Sequence, residues 1–81
     1  MKIKIKFFAS YRDISGRPEE VLDLSECTTV SDLLGLLGDK YPKLGSLTGT
    51  IIASVNKRYA KEDVILKEGD EVALLPPVSG G

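Results

Sequence analysis

Residues 2–8 read Lys-Ile-Lys-Ile-Lys-Phe-Phe. Strict alternation of this kind fits a half-buried β-strand and does not fit helical spacing. With a period of two, Ile3, Ile5 and Phe7 share one face, and Lys2, Lys4, Lys6 and Phe8 share the other. Three lysines mark the second face as wet, so Phe8 is out of place on it. A chain that opens this way needs an apolar element laid across one side of its first strand.

Residues 29–41 supply that element. Thr29 is a good N-cap, and Asp32 stands three residues on, in the manner of a capping box. Val30, Leu33, Leu34, Leu37 and Tyr41 then recur at helical spacing and form one apolar stripe. Pro42 ends the helix, because the residue before a proline disfavours helical angles. Gly35 and Gly38 weaken the helix by about 1 kcal/mol each relative to alanine, which makes it depend on packing against a sheet.

The remaining segments follow from turn residues and β-branched runs. Residues 10–16 read as a turn or short helix closed by Gly16, and 19–24 as a second strand. Residues 43–49 read as loop and 50–55 as a third strand. Asn56 marks a turn, with a short strand possible near Tyr59. Residues 67–70 form another turn, and 71–75 the last strand. The order is ββαββ, an α+β architecture in which one main helix crosses a mixed sheet and the first and last strands are central neighbours. Residues 1–75 are expected to form a single domain and 76–81 an extended tail.

Composition limits what such a domain does. The chain has 81 residues, no histidine, one cysteine, and eleven basic against twelve acidic residues. Lack of histidine removes the commonest general base and the commonest metal ligand together. One cysteine, Cys27, excludes a disulfide framework and a thiolate metal cluster. Near-neutral charge argues against a nucleic-acid or anionic-membrane partner. No apolar run is long enough to span a bilayer, and no signal peptide is seen. No metal and no cofactor bound by this chain are expected. The composition favours a cytoplasmic carrier or binding module over a self-contained enzyme. Charge is blocked: residues 1–12 and 40–61 are purely basic, whereas 13–39 and 62–81 are mostly acidic. Basic and acidic strands laid side by side account for this.

The end of the chain reads Leu75-Pro76-Pro77-Val78-Ser79-Gly80-Gly81. Two prolines offer no N–H to a β-ladder and hold the exit extended. From Leu75 to Gly81 the tail reaches roughly 20 Å. Without side chains, Gly80 and Gly81 form a thin probe for a partner's slot, and the reactive group is the Gly81 carboxylate. An anionic carboxylate has no leaving group, so it reacts only after activation, most simply by adenylation. No phosphate-binding loop is present to hold ATP, so another protein must activate it.

These residues resemble the small, sulfur-carrying subunit of molybdopterin synthase. The likeness rests on Phe7-Phe8-Ala9 with Arg12, Val55-Asn56, Gly69-Asp70-Glu71-Val72-Ala73 and the terminal block from Pro76 to Gly81. The resemblance implies a ubiquitin-like β-grasp fold. It implies that an enzyme related to ubiquitin activators uses ATP to adenylate Gly81, and that a sulfur donor converts the adenylate to a thiocarboxylate. The tail then enters the large synthase subunit and delivers sulfur to cyclic pyranopterin monophosphate, in a heterotetramer with two of each subunit. Catalytic side chains would belong to the large subunit. Pro76, Pro77, Val78, Ser79 and Gly80 would be the inserted segment, and Phe8, Arg12, Tyr59 and Leu75 the docking surface. A ubiquitin-like modifier joined to other proteins through Gly81, and a thiamine-pathway sulfur carrier, are the alternatives. Cys27 lacks an activating neighbour in sequence and reads as a small, partly buried residue without a role.

Overall fold

A computed structural model describes residues 1–76 of the chain. Five strands form one sheet: β1 (Lys2–Phe7), β2 (Glu19–Asp23), β3 (Ile52–Val55), β4 (Arg58–Tyr59) and β5 (Glu71–Leu75). Their spatial order is β2-β1-β5-β3-β4. β1 and β5 run parallel, with Lys4 beside Glu71 and Phe7 beside Leu74. All other pairs are antiparallel. The first and last strands are therefore central neighbours, as the ββαββ reading requires.

The helix stripe explains the second layer. α2 (Val30–Lys40) carries the full capping box: Asp32 N–H donates to Thr29 Oγ1 at 3.1 Å and Thr29 N–H to Asp32 Oδ2 at 3.1 Å. Val30, Leu33, Leu34 and Leu37 are buried against Ile3, Ile5 and Phe7 of β1 and Val72 and Leu74 of β5, all in one core cluster. Segment 64–66 straps the start of this helix. Val30 N–H donates to Val64 O at 2.9 Å, Leu66 N–H donates to Thr28 O at 2.8 Å, and Leu66 is buried.

Three local readings need correction. Residues 43–49 are not open loop. Pro42 starts a short helix, α3 (Pro42–Gly45), and a 3-10 turn covers Thr48–Thr50. Proline suits the first helical position because its missing N–H has no partner there anyway, and buried Leu44 fixes the turn in the core. The third strand starts at Ile52 rather than residue 50, since Thr50 belongs to the 3-10 turn. Cys27 is exposed, not partly buried, and sits at φ 66° in the turn before α2. No β-strand or helix burial acts on it there.

The short helix α1 (Ser10–Ser15) connects β1 to β2. It ends at Gly16, whose φ of 75° is the left-handed conformation that glycine adopts most easily. Tyr11 is its buried anchor.

Candidate functional site: the surface around the root of the tail

Leu75 closes β5, and Pro76 is the last described residue. The tail residues Pro77, Val78, Ser79, Gly80 and Gly81 lie outside the described residues. What the fold fixes is the surface from which they depart.

That surface follows from strand register. Residues directly opposite each other in a sheet share a face. Tyr59 is opposite Ser54, Ser54 opposite Ala73, and Ala73 opposite Lys6. One step toward the tail, Ile52 is opposite Leu75, and Phe8 follows Phe7 at the matching level of β1. Phe8, Leu75, Ile52, Ala73 and Tyr59 therefore lie on the helix-free face of the sheet, at the end where the tail leaves. Phe8 is 42% and Tyr59 83% exposed, while Ile52, Ala73 and Leu75 are half-buried. The sequence places Phe8, Tyr59 and Leu75 here and names Ala73 within the Gly69-Asp70-Glu71-Val72-Ala73 likeness without assigning it to this surface; Ile52 is not singled out in it. Their signal is pairing register, which a single strand does not reveal.

Local structure holds each part in place. β1 ends where Phe7 N–H donates to Pro18 O at 2.9 Å. Ala9 then turns the chain at φ 51° and ψ −128°, a corner that glycine normally occupies. Phe8 O accepts from Tyr11 N–H at 3.1 Å, so Tyr11 enters the core while Phe8 stays outside. Arg12, one residue on, is exposed and makes no ion pair among the described residues. Together with Lys6, Phe8, Ala9, Pro18 and Glu19 it lines a shallow hollow of about 250 Å³.

Across the sheet, a hairpin presents Tyr59. Asn56 and Lys57 both take positive φ, 52° and 71°, as the two-residue turn that matches strand twist demands. Asn56 clasps this hairpin to the turn that launches β5. Its Nδ2 donates to Asp70 Oδ1 at 2.9 Å, and its Oδ1 accepts from Glu71 N–H at 3.1 Å. Asp70 Oδ2 in turn accepts from Lys67 N–H at 2.8 Å. Val55-Asn56 and Gly69-Asp70-Glu71 thus position the patch rather than join it.

The strand lysines are partly neutralised. Lys6 pairs with Glu71 and Lys4 with Glu19, each at 3.5 Å. A second polar cluster lies beneath the sheet. Glu20 of β2 is buried and accepts hydrogen bonds from Tyr41 Oη at 2.8 Å and from Lys40 Nζ. Burial by itself would raise its carboxyl pKa, but the bonds from Lys40 and Tyr41 outweigh this and hold it below the ordinary carboxylate value. Burial, then the bond to Glu20, raises the Tyr41 phenol. No group of three or more His, Cys, Asp or Glu among the described residues is placed to hold a metal ion. Among the described residues no helix is long and apolar enough to cross a membrane.

A five-stranded mixed sheet with one main helix across one face is the ubiquitin-like β-grasp. Residues 5–81 match the model of the ThiS family, and the chain belongs to that family. The molybdopterin synthase sulfur carrier subunit of Chlamydomonas reinhardtii is 36% identical, with both chains covered in full. The subunit of the same name from Drosophila yakuba is 37% identical over the whole of this chain and 92% of its own length. Among solved structures, the small archaeal modifier protein 1 of Methanosarcina acetivorans superposes with a TM-score of 0.84 at 33% identity, covering 99% of this chain and 96% of its own.

Proposed function

We propose that this chain is the sulfur carrier of a molybdopterin synthase, working in the cytoplasm. The observation that carries the reading is end-to-end similarity to sulfur carrier subunits at 36% and 37% identity. An apolar surface at the root of a Gly-Gly tail supports it. The Gly81 carboxylate attacks the α-phosphate of ATP on an adenylating enzyme, giving an acyl-adenylate and releasing pyrophosphate. A sulfur donor displaces AMP, and the product is a thiocarboxylate. The tail then enters the large synthase subunit, which supplies the catalytic side chains and the pyranopterin substrate. Two carriers flank two large subunits. Phe8, Arg12, Tyr59 and Leu75 are the docking surface, and Pro76 to Gly80 are the inserted segment. This chain contributes no catalytic side chain and holds no cofactor; ATP is bound by the adenylating partner.

Intact mass spectrometry after incubation with an adenylating enzyme, ATP and a sulfur donor tests this. The expected product gains the mass of one sulfur-for-oxygen exchange, and deletion of Gly81 abolishes the gain while the circular dichroism spectrum is unchanged. Sulfur transfer by a variant lacking Gly81 would refute the assignment. Similarity to an archaeal modifier protein favours one second reading, conjugation of Gly81 to lysines of other proteins. Isopeptide-linked forms in cell extract, absent for the Gly81 deletion, would identify that activity.

A further inference from the structure

β2 lies at one end of the sheet and, among the described residues, pairs with β1 alone. The bonds from Phe7 N–H to Pro18 O and from Leu24 N–H to Met1 O fix the alternation of its ladder. Even-numbered residues of the strand turn their backbone groups toward β1, so the N–H and C=O of Glu19, Val21 and Asp23 point away from the sheet. An open edge of this kind is a template for another strand.

Beside this edge runs a groove of about 460 Å³ between β2 and α2, lined by Leu22, Asp23, Leu24, Leu36, Asp39 and Lys40. Leu36 stands off the core stripe of α2 and is 49% exposed. On the opposite face of the edge, Glu19, Val21 and Asp23 project outward. A strand added here would meet leucines on one side and two carboxylates on the other.

The charges select the occupant. Pairing with a second copy about Val21 would set Glu19 against Asp23 on both sides of the two-fold, and like charges directly opposite are destabilising. Among the described residues, Glu19 and Asp23 are held only by exposed ion pairs, with Lys4 at 3.5 Å and the N-terminal amine at 3.2 Å. Such pairs contribute little and yield readily to a competitor. Asp39 makes no ion pair among the described residues.

We infer that the β2 edge and the β2–α2 groove are a second docking site, which takes an extended segment of alternating apolar and basic residues from a partner protein as a sixth strand. Apolar side chains of that segment enter the groove against Leu22 and Leu36, and lysines or arginines meet Glu19 and Asp23. β2 is an edge of the sheet and the tail leaves from β5, but Glu19 also lines the hollow beside Phe8 and Arg12, so the Glu19 end of this site adjoins the tail-root surface. The site does not depend on the sulfur-carrier reading.

A capped synthetic peptide of alternating lysine and valine is a suitable probe, with a glutamate–valine peptide as control. Added to the full-length protein, the lysine peptide should shift the backbone amide resonances of Glu19, Val21 and Asp23 and slow their hydrogen exchange by about tenfold, as new cross-strand bonds would. The control should do neither. Val21→Pro removes an outward N–H without touching the β1 ladder and should abolish the effect. Leu36→Asp, at an exposed helix position, should weaken it and decides the matter where Val21→Pro does not fold. Equal binding of both peptides, shifts confined to other faces, or unchanged binding by folded Val21→Pro or Leu36→Asp would overturn the inference.

Discussion

Ala9 holds a backbone corner meant for glycine, between exposed Phe8 and exposed Arg12. A side chain at φ 51° is strained. Ala9→Gly should therefore raise stability by about 1 kcal/mol, relief of strain exceeding the added flexibility of the unfolded chain; the urea midpoint measures this. Cys27 belongs to the same scale. It lies in an exposed turn with φ 66°, and the carrier chemistry assigned to Gly81 does not require a side-chain thiol. Cys27→Ala should retain sulfur transfer in full, and complete loss in a folded protein would establish a thiol relay. The exposure of Cys27 was not legible in sequence, because its neighbours give no alternation from which to infer a face. Phe8 was legible, because three lysines define its face before it is reached.

Glu20 ties two elements together, β2 and the end of α2, through Lys40 and Tyr41. Its folded pKa is lowered from the ordinary 4.5, so the contact contributes stability above that value and loses it as pH falls through the folded pKa. Tyr41 is shifted upward from 10.0, so its contribution is complete below that value and is lost as pH rises through the raised one. Glu20→Gln should cost about 2 kcal/mol at neutral pH and flatten the acid limb of stability against pH, as denaturation at several pH values would show. In the sequence Glu20 reads as one more charge in an acidic block, since its partners lie 20 and 21 residues away. The capping box of α2 was legible because both its members sit within one turn. The helical turns at 42–50 were not, because Pro42, Gly45 and Gly49 are residues of loops as well as of helix ends.

The molecule as a whole puts its apolar patch and the departure of its tail at one end of the sheet. Phe8→Glu should leave stability within about 0.5 kcal/mol of the parent, since the side chain is exposed and outside the core. Binding to the adenylating enzyme and to the large synthase subunit should both be lost in titration calorimetry. An unfolded Phe8→Glu protein, or one that binds both partners normally, would remove Phe8 from the docking surface. Element order and the two faces of β1 came from periodicity; the patch as a surface came only from register between segments far apart in the chain. The parallel pairing of β1 with β5 carries a consequence for synthesis. Lys4 must wait for Glu71, so a nascent chain halted before β5 lacks the middle of its sheet and cannot close its core. Assembly of the apolar patch thereby reports that translation has passed the last strand, and under the proposed function enzymes that bind this patch would handle chains that have completed β5 in preference to shorter ones.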